Sequence, residues 1–145
     1  MGRTTVTREI RAPLARVFDV IAHIENFRKA IPHIVEVEFL SDTRRGVGAR
    51  FRETRLMGKR RATVELEVTK YVANQHVRLV SEAGGTCWDT LFRVKQVAPD
   101  RVELTLVMDA TPRNFFARVI NPLIAGMIRK AVEADMDAVK KFCEA

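Results

Sequence analysis

The sequence predicts an α+β fold in which an antiparallel sheet of about seven strands curves around one long C-terminal helix. A short helical stretch, Pro13 to Ala30, lies near the start, and strand-like runs surround and follow it. A long segment with an apolar stripe, Asn114 to Phe142, closes the chain. A single sheet leaves space when it wraps a helix of this length. Because apolar residues line that space, the sequence predicts a cavity for a small hydrophobic molecule.

The first third of the chain predicts one strand and two short helices. Thr4 to Ile10 alternates between apolar and polar residues, as in a half-buried strand. Pro13 suits the first turn of a helix, and apolar residues then recur at helical spacing. These residues are Leu14, Val17, Phe18 and Ile21. A second short helix is expected from Asn26 to Ile31, and Pro32 ends it.

Six further runs rich in branched and aromatic residues predict the remaining strands. They are Ile34 to Leu40, Ala49 to Met57, Arg60 to Tyr71, His76 to Ser81, Thr86 to Val97 and Arg101 to Asp109. Short turn signals separate most of them, namely Gly46-Val47-Gly48, Gly58-Lys59, Gly84-Gly85 and Pro99-Asp100. Connections this short predict antiparallel neighbours in meander order.

The closing helix carries an apolar stripe that Pro122 interrupts. The stripe consists of Phe116, Val119, Ile120, Leu123, Ile124, Met127, Ile128, Ala131, Val139 and Phe142. Two starting points fit the pattern. The helix begins near Asn114, or Asn121 caps a main helix with Pro122 in its first turn. In the second case residues 114–120 form a separate turn or a kinked lead-in.

Length and composition indicate one soluble globular domain spanning 1–145. The chain is 47% hydrophobic and 30% charged. No apolar run approaches the roughly 20 residues of a membrane span. The start has no signal-peptide core, and Val6 replaces the Ser or Thr of a myristoylation motif. We therefore expect a cytoplasmic protein.

Neither a metal nor an organic cofactor is predicted. Cys87 and Cys143 lie far apart and form no zinc or disulfide pattern, so each is expected to be a packing residue or an unreactive surface thiol. His23, His33 and His76 lack metal-spaced partners and are expected at the surface or at helix caps, with His33 near the cavity mouth. Phosphate-loop, dinucleotide and nucleophile-elbow motifs are absent from the sequence.

The net charge of +7 is concentrated in one stretch in which Glu53 is the only acid. Its basic residues are Arg44, Arg45, Arg50, Arg52, Arg55, Lys59, Arg60 and Arg61. One interpretation is a solvated hairpin whose charges pair with neighbouring strands. The other is a partner surface for an anionic membrane or the ribosome. The membrane-facing residues would be Arg44, Arg45, Lys59, Arg60 and Arg61. Nucleic acid is disfavoured because no exposed aromatic residues interleave with the cations.

The turn at Gly58-Lys59 fixes the register of the hairpin around it. The inner-face pairs are then Arg55 with Ala62, Glu53 with Val64, Phe51 with Leu66 and Ala49 with Val68. The outer face pairs Arg52 with Glu65 and Arg50 with Glu67, which are opposite charges suited to water.

Extending the same alternation to later strands gives the predicted ligand-binding residues. From the sheet they are Phe51, Glu53, Arg55, Val64, Leu66, Trp88, Thr90, Phe92, Leu104, Leu106 and Met108. From the helix they are Phe116, Ile120, Leu123, Ile124 and Met127. Ser81 is a further candidate polar point. Trp88 is also interpreted as a core aromatic residue, whose buried indole N–H then needs a partner.

Two interpretations of Glu53 and Arg55 stay open. They form an ordinary ion pair at the open end of the sheet, in contact with solvent. Alternatively, they are a candidate catalytic pair, with Glu53 as general base and Arg55 stabilising an oxyanion.

Several segments resemble the START-like, or SRPBCC, ligand-binding superfamily. They are Ile10-Arg11-Ala12-Pro13, Val17-Phe18-Asp19-Val20-Ile21, Glu25-Asn26-Phe27, Ile31-Pro32-His33-Ile34, Gly46-Val47-Gly48 and the closing helix. Within the superfamily the chain most resembles the polyketide cyclase/dehydrase and coenzyme Q-binding branch. The resemblance implies a helix-grip fold over nearly the whole chain. It also implies a cavity for lipids, sterols, isoprenoid quinones, polyketides or plant hormones.

Three functions are compatible with the sequence. The favoured one is a non-catalytic carrier or sensor of a small hydrophobic ligand. The second is a cyclase or dehydratase acting on a polyketide-like substrate. The third is an interaction module that uses the basic hairpin. No catalytic residue can be transferred from the superfamily, because its members share no catalytic motif.

Overall fold

A computed structural model describes residues 2–145, and Met1 lies outside them. The elements are β1 (Gly2–Ile10), α1 (Leu14–Ala22), α2 (Ile24–Ala30), β2 (Ile34–Phe39), β3 (Arg50–Met57), β4 (Arg60–Val72), β5 (His76–Ala83), β6 (Thr86–Ala98), β7 (Arg101–Pro112) and α3 (Phe115–Glu144). The strands form one seven-stranded antiparallel sheet in the order β1-β7-β6-β5-β4-β3-β2. The predicted sheet, the two short helices after β1 and the long closing helix are confirmed.

The register predicted for the β3–β4 hairpin is also confirmed. Glu53 pairs with Val64 and Phe51 with Leu66, so these four side chains share the inner face. On the outer face, Arg52 lies opposite Glu65, and their charged groups approach to 3.6 Å. The turn residue Gly58 has a φ of 65°, which glycine adopts without strain.

Helix α3 is continuous through Pro122, so the expectation of a main helix starting at Asn121 is wrong. Asn114 is the cap, and its side-chain oxygen accepts a hydrogen bond from the Ala117 N–H at 2.8 Å. Asn121 instead donates from Nδ2 to Thr86 Oγ1 at 3.0 Å, which ties the helix to the start of β6. Pro122 removes only one intrahelical donor, and the cap and the Asn121 bond hold this end in place.

The buried core lies at one end of the sheet, under the C-terminal half of α3. Phe18 of α1, Leu104 of β7 and Met136 and Val139 of α3 are almost fully buried there. Helices α1 and α2 pack against the sheet and against α3 beside this core. The N-terminal half of α3 buries far less apolar surface, and Phe115, Phe116, Leu123 and Met127 are largely exposed there.

Candidate functional site

A cavity of about 360 Å³ lies between the inner face of the sheet and the three helices. Strands β3 to β7 supply most of its wall. Helices α1 and α2 contribute Ile21, Ala22, Ile24 and Phe27, and α3 contributes Val132 and Asp135. The wall is mainly apolar with a few polar groups, which is the usual construction of a small-molecule site.

Every predicted sheet residue except Leu104 lines this cavity. Those that line it are Phe51, Glu53, Arg55, Val64, Leu66, Trp88, Thr90, Phe92, Leu106 and Met108. Leu104 lies on the same face of β7 but is fully buried in the core with Met136 and Val139. Its placement at the ligand was wrong, because core side chains surround it and leave no space.

The predicted helix residues do not line the cavity. These residues are Phe116, Ile120, Leu123, Ile124 and Met127. Leu123 is 75% exposed, and Phe116 and Met127 are also largely exposed. The helix turns a different face to the sheet, on which Asn121, Ala125 and Ile128 line a second cavity of about 230 Å³.

Sequence reasoning missed the part of α3 that reaches the main cavity. Val132 and Asp135 line it, whereas Met136 and Val139 are buried beside it in the core. Val132, Met136, Val139 and Cys143 recur at helical spacing and are all buried. That second stripe was the available signal, and it places Asp135, three residues after Val132, toward the same side.

Four ionisable side chains form a cluster at the cavity, and three of them, Glu53, Arg55 and Asp135, line its wall. Arg55 donates from Nε to Glu53 Oε1 at 2.5 Å and from Nη1 to Asp135 Oδ1 and Oδ2 at 3.1 and 2.9 Å. His33 Nε2 lies 3.3 Å from Arg55 Nη1 and 3.8 Å from Asp135 Oδ1. The Glu53 side chain is only 8% exposed, so the expectation that Glu53 reaches solvent is wrong.

The guanidinium of Arg55 is a fixed positive charge in this wall. Burial acts to lower the pKa of Arg55, but the charges of Glu53 and Asp135 and their hydrogen bonds outweigh burial. The net result is a raised pKa. Arg55 therefore remains charged while two carboxylates share its donors, and it cannot act as a proton donor near neutral pH.

Two further polar groups belong to the sheet wall. Ser81 is buried, and its Oγ has no hydrogen-bond partner within residues 2–145. Trp88 pairs with Ser81 across β5 and β6, and its indole Nε1–H donates to the Ala83 carbonyl at 3.2 Å. The partner expected for the indole is therefore present, and Trp88 also lines the cavity.

The remaining histidine and cysteine predictions have mixed outcomes. His23 precedes α2 but makes no side-chain cap, and it is buried with its ring 6.0 Å from that of Tyr71. His23 occupies the N-cap position of α2, so the capping position is confirmed, whereas its burial shows that the surface placement was wrong. Burial, and then the charge of Arg45, lower the pKa of His23. Burial raises the pKa of Cys143 to about 11, which keeps this thiol protonated and unreactive. Within residues 2–145 no set of three or more potential ligands could hold a metal ion.

Much of the basic stretch is paired with acids or aromatic rings. Arg45 lies 3.3 Å from Glu25, and Arg61 lies 3.8 Å from Glu36. Arg44 stacks over the ring of Phe39 at 4.6 Å. These contacts favour the interpretation of charges paired with neighbouring strands. A membrane contact through the hairpin stays a prediction, and none of the helices among residues 2–145 is long and apolar enough to span a bilayer.

Solved structures with the same fold include proteins of several activities. The Zhui aromatase/cyclase from Streptomyces sp. R1128 superposes with a TM-score of 0.83 at 16% identity, covering 99% of this chain and 93% of its own. A START superfamily protein from Mycobacterium smegmatis superposes with a TM-score of 0.79 at 15% identity, covering 98% of this chain and 97% of its own. Norcoclaurine synthase from Thalictrum flavum superposes with a TM-score of 0.72 at 16% identity, covering 97% of this chain and 85% of its own. At these identities the similarity establishes the START-like fold alone.

A comparison with curated proteins finds no match. The family described as "Polyketide cyclase / dehydrase and lipid transport" matches residues 1–144. This agrees with the cyclase/dehydrase part of the predicted resemblance, whereas the coenzyme Q-binding part stays a prediction. The match spans nearly the whole chain, and the protein belongs to the polyketide cyclase/dehydrase and lipid transport family.

Proposed function

We propose that this protein binds and carries a small hydrophobic molecule in the cavity between the sheet and the helices. The observation that carries the proposal is the apolar cavity of about 360 Å³. Its volume falls within the range of about 300–1,000 Å³ that is usual for ligand sites. A lipid, an isoprenoid quinone or a polyketide-like molecule matches such a wall. The family description, which includes lipid transport, supports the same function.

Trp88 provides a direct test, because it is the only tryptophan and it lines the cavity. We expect N-phenyl-1-naphthylamine, an uncharged hydrophobic probe, to change Trp88 emission saturably. Val64→Phe places a ring in the cavity and should weaken binding about tenfold. Glu65→Phe is the matched control, because Glu65 is the adjacent residue on the outer face.

Equal affinity in the two variants, or no saturable Trp88 response at all, would contradict the proposal. Native mass spectrometry of the purified protein would then identify whatever molecule remains bound from the cell. A copurifying lipid or quinone would indicate a carrier directly.

A cyclase or dehydratase activity is the second candidate, and the buried carboxylate of Glu53 in the cavity wall favours it. In this candidate, Glu53 acts as the general base, and Arg55 supplies a fixed positive charge beside an oxyanion that forms in the substrate. The structural similarity to an aromatase/cyclase also supports this candidate. The carrier function ranks first because both carboxylates already occupy donors of Arg55.

The substitution Glu53→Gln separates the two candidates. An enzyme that uses Glu53 as its base should lose about 10²- to 10⁴-fold in kcat on a polyketide-like substrate. Binding measured through Trp88 should persist. Glu38→Gln, on an exposed side chain of β2, is the control. Undiminished turnover in Glu53→Gln would exclude Glu53 as the base.

A further inference from the structure

We infer that the cavity selects a hydrophobic ligand with a hydrogen-bond donor for Glu53 at one point and a second polar group for Ser81 at another, and that it disfavours carboxylates. The inference rests on the proposed ligand-binding function and specifies the chemical class of the ligand. Its two parts depend on separate observations, the charge of the ionisable cluster and the unpaired hydroxyl of Ser81.

The cluster carries more negative than positive formal charge. Two carboxylates, Glu53 and Asp135, face one guanidinium, and His33 adds a positive charge only when it is protonated. Arg55 already donates to both carboxylates. A ligand carboxylate placed here would be a third anion around a single cation. Repulsion between like charges is stronger where they are largely buried than in bulk water, so an anionic ligand binds poorly.

The same cluster offers an acceptor to the ligand. Within the described residues Glu53 accepts its hydrogen bond from Arg55 through Oε1 and makes none through Oε2. Glu53 lines the cavity, and an ionised carboxylate only accepts hydrogen bonds. A hydroxyl or amine group of the ligand supplies the donor that this oxygen lacks. The cluster therefore recognises an alcohol, a phenol or an amine rather than an acid.

Ser81 marks the second polar point. It is 8% exposed, it lines the cavity, and its Oγ has no partner within residues 2–145. A buried hydroxyl without a hydrogen bond is costly, and a polar ligand group in the cavity removes that cost. The indole of Trp88, opposite Ser81, does not compete for the hydroxyl because its N–H is bonded to the Ala83 carbonyl.

The sheet sets the separation between the two points. Glu53 lies on β3 and Ser81 on β5, with β4 between them. The register adds an offset, because Leu66 pairs with Phe51 on one side and continues the β4–β5 register opposite Ser81 on the other, two residues from the partner of Glu53. Two strand spacings and this two-residue step correspond to about 12 Å between the Cα atoms. Allowing for a hydrogen bond at each end, the ligand carries its polar groups at opposite ends of a rigid apolar body of about two fused rings.

The test uses three related probes, each titrated while Trp88 emission is recorded. They are 2-naphthol, 2-naphthoate and naphthalene-2,6-diol. We expect the wild-type protein to bind 2-naphthol at least tenfold more tightly than 2-naphthoate, and the diol more tightly than 2-naphthol. Asp135→Asn removes one negative charge and should reduce the preference for naphthol over naphthoate about tenfold. If this variant does not fold, Glu53→Gln neutralises the same cluster and should reduce the preference in the same way.

Ser81→Ala should abolish only the advantage of the diol over 2-naphthol. The melting temperature without ligand should not fall, because the wild-type hydroxyl has no partner to lose. Thr69→Val is the matched control. Thr69 is another strand residue whose hydroxyl is buried without a partner, and it does not line the cavity. The control should leave the affinities of all three probes unchanged.

Three outcomes would overturn the inference. If the wild-type protein and Asp135→Asn both bind 2-naphthol and 2-naphthoate with equal affinity, the cluster does not select against anionic ligands. If Ser81→Ala still binds naphthalene-2,6-diol more tightly than 2-naphthol, Ser81 does not contact the second polar group of the ligand. In both cases the probes still bind, so the proposed function survives. Absence of any Trp88 response to every probe would overturn the proposed function and this inference together.

Discussion

Replacing Arg55 with methionine is expected to lower the free energy of unfolding by about 3 kcal/mol. The substitution leaves Glu53 and Asp135 in the cavity wall without their shared counter-charge. Removing one partner of a buried ion pair is costly because the remaining charges have lost their hydration and gain nothing in return. The loss should appear in urea unfolding followed by circular dichroism.

Arg52→Met is the matched control. Arg52 lies on the same strand, but its side chain is 40% exposed on the outer face, where it pairs with Glu38 at 2.6 Å. Exposed pairs contribute about 0–1 kcal/mol, so this variant should remain close to the wild type. Adding Glu53→Gln and Asp135→Asn to Arg55→Met should recover part of the lost stability, because no buried charge then remains. A loss no larger in Arg55→Met than in Arg52→Met would show that water hydrates the cluster.

The sheet could be predicted in detail because its signals are local. Gly58 and Lys59 form a two-residue loop, and the two-residue period of a strand then assigns every side chain of β3 and β4 to a face. The pairing of Glu53 with Arg55 follows from the same rule, since residues two apart on a strand share a face. These predictions needed no knowledge of distant parts of the chain.

The placement of α3 could not be predicted in this way. The sequence gives its helical period, but the face that packs on the sheet depends on contacts with strands far away in sequence. Asp135 is separated from Arg55 by 80 positions, and no local pattern joins them. In the sequence, the helix face that carries Phe116 and Leu123 has the more prominent apolar stripe. The helix nevertheless packs on the rest of the protein through Val132 and Met136. The sequence therefore predicted the Glu53–Arg55 pair of the ionisable cluster but not the contribution of Asp135.

The second large effect concerns two leucines that sequence reasoning had treated as equivalent. Leu104 and Leu106 lie two apart on β7 and share its inner face. Both are buried in the core, but Leu106 also lines the cavity, whereas Leu104 does not. We expect Leu104→Ala to lower the free energy of unfolding by about 3–4 kcal/mol, because it creates a new void in close-packed surroundings.

Leu106→Ala should cost about 1–2 kcal/mol less, because its side chain already borders empty space and loses fewer packing contacts. For ligand binding we expect the opposite order, with the larger effect in Leu106→Ala. Leu106→Ala should change the affinity for N-phenyl-1-naphthylamine, and Leu104→Ala should leave it unaltered under conditions where both variants are folded. Strand, face and substitution are the same in the two variants, so only the cavity can separate them. Equal destabilisation together with equal affinity would mean that side-chain motion closes this space in solution.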